Sequence, residues 1–196
     1  MQLLETIKIH NRQIKNIAWH NQRFNRTRFE LFGIREPLAL ENSLQIPDDL
    51  SNEIYKCRIV YSKEIDIIEF EKYTPRKINS LKIIECNEID YSYKFNDRTK
   101  LNELFQQKED CDDILIVKNG FITDTSFANI VFWEGEKWIT PASPLLHGTT
   151  REHLLNSNQI STAEITTDNL KDFPKARIIN AMNGLSNGND ISRFVL

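Results

Sequence analysis

The feature that most constrains the fold is a close succession of four strand-like runs in the second half of the chain. The first run, residues 114–117, is continuously apolar. It leads into Asn119-Gly120, a pair typical of tight hairpin turns because both residues tolerate positive φ. Three further runs follow at short intervals, at residues 121–123, 129–132 and 137–140. We therefore predict a group of short strands joined by turns in this region.

The first half of the chain combines strand patterns with one clear helix pattern. Residues 4–10 alternate with the period of a strand, and residues 11–13 indicate a turn. Residues 19–32 have a helical pattern that ends at Gly33, a residue suited to the position after a helix. A short helix or helix start is indicated at 48–53. Two further strands are predicted, at residues 55–61 and 65–70.

Isolated helices and strands complete the second half. Residues 83–84 indicate a strand, and residues 97–107 indicate a helix with one apolar face. Thr149 and Glu152 have the spacing of a capping box and predict the start of another helix. Residues 177–180 indicate a last buried strand. Strands mixed with isolated helices and hairpins predict an α+β fold, with two layers in each half.

A connection at residues 71–80, which contains Pro75, separates the two halves. We place a domain boundary there or slightly later, at about residue 85. The prediction is a small α+β domain at residues 1–85 and a larger domain at residues 86–196.

Charge and hydropathy exclude several classes of function. A net charge of −3 and a pI near 5.9 give no electrostatic reason to expect a nucleic-acid partner. No apolar run reaches the roughly 18 residues of a membrane span, and the N-terminus lacks the pattern of a secretory signal. We therefore expect a cytoplasmic protein. Neither the cysteines nor the histidines have the spacing of metal ligands, so no metal site is predicted.

Three places are candidates for chemistry. Residues 144–151 put a glycine and two hydroxyls at a helix start, where unpaired backbone N–H groups suit an anion. Asp124 interrupts a strand, and Lys94 lies among the aromatic residues of segment 91–95, which could desolvate its amine and lower its pKa. Each place also has a structural interpretation: an ordinary helix start, a turn-forming acid and a lysine on the wet face of a strand.

Taken in order, these segments resemble the fold type IV enzymes that use pyridoxal 5'-phosphate (PLP), the class IV aminotransferase family. In that family a lysine precedes a segment of the form Thr-Glu-(three small)-Asn-(apolar)-Phe, and a Gly-(apolar)-Thr-Arg helix start comes later. Upstream stretches of the form Phe-Glu-Thr-Ile-Arg and His-x-x-Arg-Leu are also typical. The matching stretches here are residues 5–9, 20–24, 93–98, 122–132, 140–141 and 146–151.

The resemblance implies a role for each matching residue. Lys94 would bond covalently to PLP and later carry the Cα proton of the substrate. Asp124 matches the glutamate that faces the pyridine nitrogen in the family, although aspartate is one methylene shorter. Arg23 would hold the 5'-phosphate, which suits a guanidinium fork. Further contacts on the phosphate side would come from Thr149, Thr150 and Ala181.

The family contains both lyases and aminotransferases. Arg98, four residues after the lysine, and the Asn-Ala-Met run at 180–182 look more like 4-amino-4-deoxychorismate lyase, which releases 4-aminobenzoate and pyruvate in folate biosynthesis. We favour that reaction. A D-amino-acid or branched-chain type of aminotransferase is the alternative, and a non-catalytic PLP-fold binding protein is a third. Arg58 and Arg76 are candidates for binding the carboxylate of a small amino substrate, or else are surface or interface arginines.

The chain departs from the family pattern near its N-terminus. The family usually has a further segment before the stretch that matches residues 5–9, and Leu4 stands where relatives often have an aromatic residue. We therefore expect a trimmed N-terminal domain and a more open active site. The resemblance also implies a homodimer. The substrate and its stereochemistry stay open.

Overall fold

The computed structural model describes residues 1–196 and divides into two compact units. The first unit comprises residues 1–75 and 93–97, and the second comprises residues 76–92 and 98–196. The predicted boundary after residue 85 assigned residues 76–85 to the first domain. Those residues belong to the second unit because strand Ser80–Glu85 pairs there on both of its sides.

The first unit is built on a four-stranded sheet with the strand order β2-β1-β3-β4, in which all pairs are antiparallel. Inward-facing residues of β1, among them Leu3, Ile7 and Ile9, share an apolar core with Phe24 and Tyr61, whose rings lie 4.5 Å apart. The helix therefore covers one face of the sheet. The elements are β1 (Leu3–His10), β2 (Gln13–Ile14), α1 (Ile17–Phe32), β3 (Ile54–Tyr61) and β4 (Ile65–Lys72).

Local backbone signals in this unit are partly confirmed. The turn predicted at 11–13 is present, and α1 ends at Gly33 with a φ of 70°. The helix predicted at 48–53 is wrong. The guanidinium of Arg12 donates to three carbonyl groups in segment 47–50, at 3.1, 3.2 and 2.8 Å, and this holds the backbone in a turn.

The second unit contains an eight-stranded sheet in the order β10-β9-β8-β7-β6-β5-β12, with β11 paired to β8. Leu115, Ile130, Phe132 and Ile178 are buried in its apolar core. The strands are β5 (Ser80–Glu85), β6 (Asp113–Lys118), β7 (Phe121–Thr125), β8 (Asn129–Trp133), β9 (Trp138–Pro141), β10 (Ile160–Ala163), β11 (Lys175–Ile179) and β12 (Arg193–Val195). The helices are α2 (Thr99–Phe105) and α3 (Thr149–Asn156).

The predicted group of short strands is confirmed as β6 to β9, and the α+β class is confirmed with it. Asn119 and Gly120 have φ values of 53° and 82° and close the hairpin between β6 and β7. Two strands of this sheet carry no clear sequence signal. β10 lies parallel to β9, and β12 has only three residues and lies parallel to β5.

Two further features concern the cysteines and the length of the helices. Cys57, Cys86 and Cys111 are all buried and none forms a disulfide. Burial raises the pKa of the Cys57 thiol to about 12, so this side chain stays protonated and packs as a small apolar group. No helix is both long enough and apolar enough to cross a lipid bilayer.

We expect Gly120→Ala to destabilise the protein, because a side chain at a left-handed position costs roughly 1–2 kcal/mol. No atom lies within 4 Å of the position that a Cβ would take at Gly120, so the loss comes from backbone conformation alone. Urea unfolding measures it. Gly184→Ala is the matched control, since its site is equally open but has a φ of −90°. Equal losses in both variants would contradict the explanation.

Candidate active site

Lys94 belongs to the first unit, in a segment without regular structure that lies along β1. The N–H of Leu4 donates to the carbonyl of Lys94 at 2.9 Å, and the N–H of Asn96 donates to the carbonyl of Gln2 at 2.9 Å. Leu3 and Phe95 form a bridge of antiparallel type. The backbone around this half-buried lysine is therefore fixed by the N-terminal strand.

The inner face of β1 holds one charged residue among its apolar ones. Glu5 is fully buried, and its carboxylate accepts two hydrogen bonds from Arg23, from Nε at 2.8 Å and from Nη2 at 2.6 Å. The Nδ1 atom of His20 lies 2.6 Å from the same carboxylate. Burial alone would raise the pKa of Glu5, but Arg23 and His20 together lower it to about 2. Glu5 is therefore a stable anion in the core.

This cluster lies close to Lys94. Burial lowers the pKa of His20; Glu5 partly offsets that effect, and the positive charges of Arg23 and Lys94 lower it further. The lysine amine is thus near enough to act electrostatically on His20. The structure brings the predicted PLP lysine and the predicted phosphate arginine into one neighbourhood of the first unit.

The sequence dictates this cluster through two periodicities. His20 and Arg23 are three residues apart and lie on the buried face of α1. Glu5 occupies an inward position between Leu3 and Ile7 on β1. Sequence reasoning identified Arg23 but gave no role to Glu5 or His20. An acid at an inward position of an otherwise apolar strand is the signal that could have found them.

Asp124 lies in β7 of the second unit, and its side chain is also buried. Its Oδ1 atom accepts a hydrogen bond from Nδ2 of Asn129 at 2.7 Å, and its Oδ2 atom accepts one from the N–H of Leu146 at 2.9 Å. Burial raises the pKa of Asp124 to about 6, although these bonds and the charge of Arg151 act in the opposite direction. The carboxylate is thus held in place with neutral hydrogen-bond donors.

The start of α3 differs from the predicted capping box. Gly148 is the N-cap, and no side chain caps the helix. Thr149 is the first helical residue, so Glu152 falls one residue too late to reach back. Glu152 instead pairs with Arg151 at 2.9 Å and with His147 at 3.2 Å.

Three of the four residues predicted for the phosphate side, Thr149, Thr150 and Ala181, lie in the second unit, whereas the fourth, Arg23, lies in the first. Thr149 and Thr150 are both buried at the start of α3. The Thr150 hydroxyl donates to the carbonyl of Asn180 at 2.8 Å, which brings this helix end beside the loop that contains Ala181. The two stretches that resemble the phosphate side of the family, at residues 146–151 and 180–182, are therefore neighbours in space.

The arginines considered for the substrate already have protein contacts. Arg58 donates to Glu69 at 2.8 Å and to Asn96 at 2.7 Å, within the first unit. Arg76, in the second unit, lies over the rings of Phe105 and Phe127, at 5.9 and 5.5 Å from their centroids.

Arg98, which favoured the lyase, donates to the carbonyl of Ser126 at 2.7 Å and lies over the ring of Tyr91. Ser126 follows Asp124 by two residues. Arg98 thus supports the turn between β7 and β8, which begins shortly after Asp124.

These features define an α+β protein with the fold of the fold type IV PLP enzymes. The sequence profile of the amino-transferase class IV family matches residues 94–189. The chain belongs to this family.

Similar proteins cover nearly the whole chain. An uncharacterized protein of Haemophilus influenzae is 40% identical over 93% of this chain and 98% of its own length. The crystal structure of a candidate 4-amino-4-deoxychorismate lyase from Haemophilus somnus is 37% identical, covers 94% of this chain and 97% of its own, and has a TM-score of 0.85. A PLP-bound hypothetical aminotransferase from Mycobacterium tuberculosis shares the fold at 14% identity, with coverages of 98% and 81% and a TM-score of 0.80.

We expect Glu5→Gln to cost about 3–5 kcal/mol of unfolding free energy, because it leaves the buried guanidinium of Arg23 without its anion. Denaturant unfolding near neutral pH measures the loss. Glu69→Gln is the matched control: it removes an exposed partner of Arg58, and such pairs contribute about 0–1 kcal/mol. Losses of similar size would show that burial of the Glu5 pair does not matter.

The pKa of Glu5 also predicts a pH dependence. Its value in the folded state lies below its ordinary value of 4.5, so its contribution to stability is present above pH 4.5 and is lost as the pH falls towards about 2. The acid limb of the unfolding midpoint against pH should be flatter in Glu5→Gln. An acid limb as steep as that of the wild type would count against this assignment.

Asp124 and Asp112 should titrate in opposite directions from the ordinary value of 3.8. Burial raises the pKa of Asp124 to about 6, whereas a backbone hydrogen bond from Asn79 and bonds from Ser80 lower the pKa of the half-buried Asp112. Carboxyl carbon shifts in NMR measure both groups in one sample. Because the folded pKa of Asp124 is raised, its favourable contribution is lost as the pH rises through about 6. Titration of Asp124 below pH 4 would contradict the prediction.

Proposed function

We propose that the chain is a PLP-dependent enzyme in which Lys94 is the lysine that bonds to the cofactor. The observation that carries the proposal is the fixed position of Lys94 along β1, beside the buried Arg23–Glu5–His20 cluster. A lysine in this setting has a rigid backbone and a buried guanidinium in its neighbourhood. Both properties suit an amine that must meet an aldehyde next to a phosphate.

The chemistry of the residues fits this cofactor. PLP has an aldehyde, a ring nitrogen and a phosphate, and the family order assigns an amine, a carboxylate and a guanidinium to them: Lys94, Asp124 and Arg23. The hydroxyls of Thr149 and Thr150 and the backbone N–H groups at the start of α3 would add donors to the phosphate, with Ala181 nearby. When bound, PLP supplies an electron sink for the charge that develops at the substrate Cα.

The protein residues then have defined tasks. The Nζ atom of Lys94 would take the proton from the substrate Cα, for which the amine must be neutral. Asp124 would hold a proton on the ring nitrogen, because a buried carboxylate favours positive charge beside it. Glu5 would orient the guanidinium of Arg23 through its two hydrogen bonds.

The reaction we propose is that of 4-amino-4-deoxychorismate lyase, which converts aminodeoxychorismate into 4-aminobenzoate and pyruvate, with aromatisation as the driving force. The similarity at 37% identity to the Haemophilus somnus protein supports this choice. Arg98 and the Asn-Ala-Met run at 180–182 support it independently from the sequence. Two similar structures described as aminotransferases are only 19% and 14% identical to this chain and therefore support the fold alone.

Of the two arginines considered, Arg76 is the better candidate for a substrate carboxylate. The guanidinium of Arg58 is already bound by Glu69 and Asn96, and a substrate would have to displace them. Arg76 is exposed, and it lies over the faces of two phenylalanine rings, which leave the edge of its guanidinium available for an anion. Its charge also acts on the buried carboxyl group of Asp113, with which a substrate carboxylate would share it. We also propose a homodimer, by analogy with the family.

The purified chain should take up PLP and become yellow, with an absorption band that borohydride removes. Lys94→Ala should abolish the covalent product, as judged by the mass of the borohydride-treated protein. Lys100→Ala is the control, since it removes an exposed lysine nearby in sequence. A wild-type chain that stays colourless with added PLP would overturn the enzymatic proposal and favour a non-catalytic binding protein.

The reaction itself has a separate test. The PLP-loaded protein should release 4-aminobenzoate and pyruvate from aminodeoxychorismate, both of which are measurable by chromatography. Transfer of amino groups to 2-oxo acids without release of 4-aminobenzoate would establish an aminotransferase instead. Arg76→Lys keeps the charge but not the fork and should raise KM more than it lowers kcat.

A further inference from the structure

We propose that Asn129 is a positioning residue, which ties the carboxylate of Asp124 to the start of α3 and so fixes the spacing between the two ends of the cofactor site. The effect of this connection on cofactor binding rests on the proposed function, because only a bound PLP would contact both Asp124 and the start of α3 at the same time. The contacts that carry it lie within the second unit and are independent of any ligand.

The first part of the connection is a closed set of three hydrogen bonds. The Nδ2 atom of Asn129 donates to Oδ1 of Asp124 at 2.7 Å and to the carbonyl of Leu146 at 2.8 Å. The N–H of Leu146 donates back to Oδ2 of Asp124 at 2.9 Å. Both N–H groups of the amide are thus used, and a flipped amide would set its oxygen against two acceptors. The orientation of Asn129 is therefore fixed.

The second part is a close approach on the opposite side of the same amide. A Cβ atom at Gly148 would lie only 2.0 Å from Oδ1 of Asn129. Gly148 has a φ of −70°, which any residue adopts, so its conformation does not require glycine. Glycine is required at this position because the Asn129 amide occupies the place of a Cβ atom. Gly148 is the N-cap of α3, so Asn129 contacts the carboxylate on one side and the helix start on the other.

The need for such a connection follows from the shape of the cofactor. The ring nitrogen and the phosphate of PLP are joined by a rigid ring and a short CH2–O link, so the spacing between their partners can vary only within narrow limits. Asp124 is a methylene shorter than the glutamate of the family and cannot adjust its reach. A buried amide bonded to both the carboxylate and the loop before α3 holds that spacing, since Asn129 and Asp124 are each only 5% exposed.

The inference predicts an energetic coupling between Gly148 and Asn129 that can be measured on the protein without PLP. Gly148→Ala should lower the unfolding midpoint in the wild-type background, because its methyl group displaces the Asn129 amide. In the Asn129→Ala background the same change meets no amide and should cost little or nothing further. Additive losses in the double variant would overturn the proposal.

A second measurement follows the carboxylate directly. Displacement of the amide removes a hydrogen bond from Asp124, so its NMR titration should move to higher pH in both Asn129→Ala and Gly148→Ala. Gly184→Ala, at an open glycine site, should leave the titration unchanged. If Asn129→Ala does not fold, the titration of Asp124 in Gly148→Ala is the deciding measurement. An unshifted titration in that variant would overturn the proposal.

PLP binding completes the test and separates the two proposals. The dissociation constant for PLP should rise by about tenfold or more in Asn129→Ala, the loss expected for one hydrogen bond to a charged group. Coupling in the apoprotein together with unchanged PLP affinity would refute the positioning role. A wild-type chain that binds no PLP would refute the proposed function, whatever the coupling between Gly148 and Asn129.

Discussion

The buried carboxylate of Glu5 is the interaction on which the first unit depends. A guanidinium and an imidazole of α1 enter the core because this anion meets both of them there. Without it, burial of Arg23 would leave an unpaired charge in an apolar core. The same strand provides the backbone partners of the Lys94 segment through Gln2 and Leu4. One strand therefore fixes both the arginine and the lysine, and any shift of its register would move both.

The two units show how similar burial produces opposite acidities. Glu5 and Asp124 are both buried, but the pKa of the former is lowered to about 2 and that of the latter is raised to about 6. The difference lies in their partners. Glu5 bonds to a cation, whereas Asp124 accepts hydrogen bonds from the neutral groups of Asn129 and Leu146. A carboxylate held by amides keeps a preference for positive charge, which suits the role that we propose for Asp124 beside a ring nitrogen.

Sequence patterns predicted the elements that depend on local chemistry. The hairpin at Asn119 and the helix α1 follow from turn residues and periodicity, and the family was recognised from motif order. The errors arose where long-range pairing decides. Segment 93–97 joins the first unit through β1, which no local pattern reveals, and β12 is too short to have a period. At the candidate site, family order was enough to propose Lys94 and Asp124, but the role proposed for Asn129 depends on a spatial approach to the loop before α3.

The first unit is discontinuous, and this has a consequence for biosynthesis. Its sheet and helix are encoded by residues 1–75, but the segment that carries Lys94 lies some way further along the chain. During synthesis the N-terminal sheet can form before that segment has left the ribosome. The edge of the sheet along β1 then stays unpaired until segment 93–97 has been synthesised, and closing the intervening loop costs chain entropy. Docking of the lysine is thus a late step in the maturation of the unit, and a nascent chain that stops short of it has the sheet without the segment that carries Lys94.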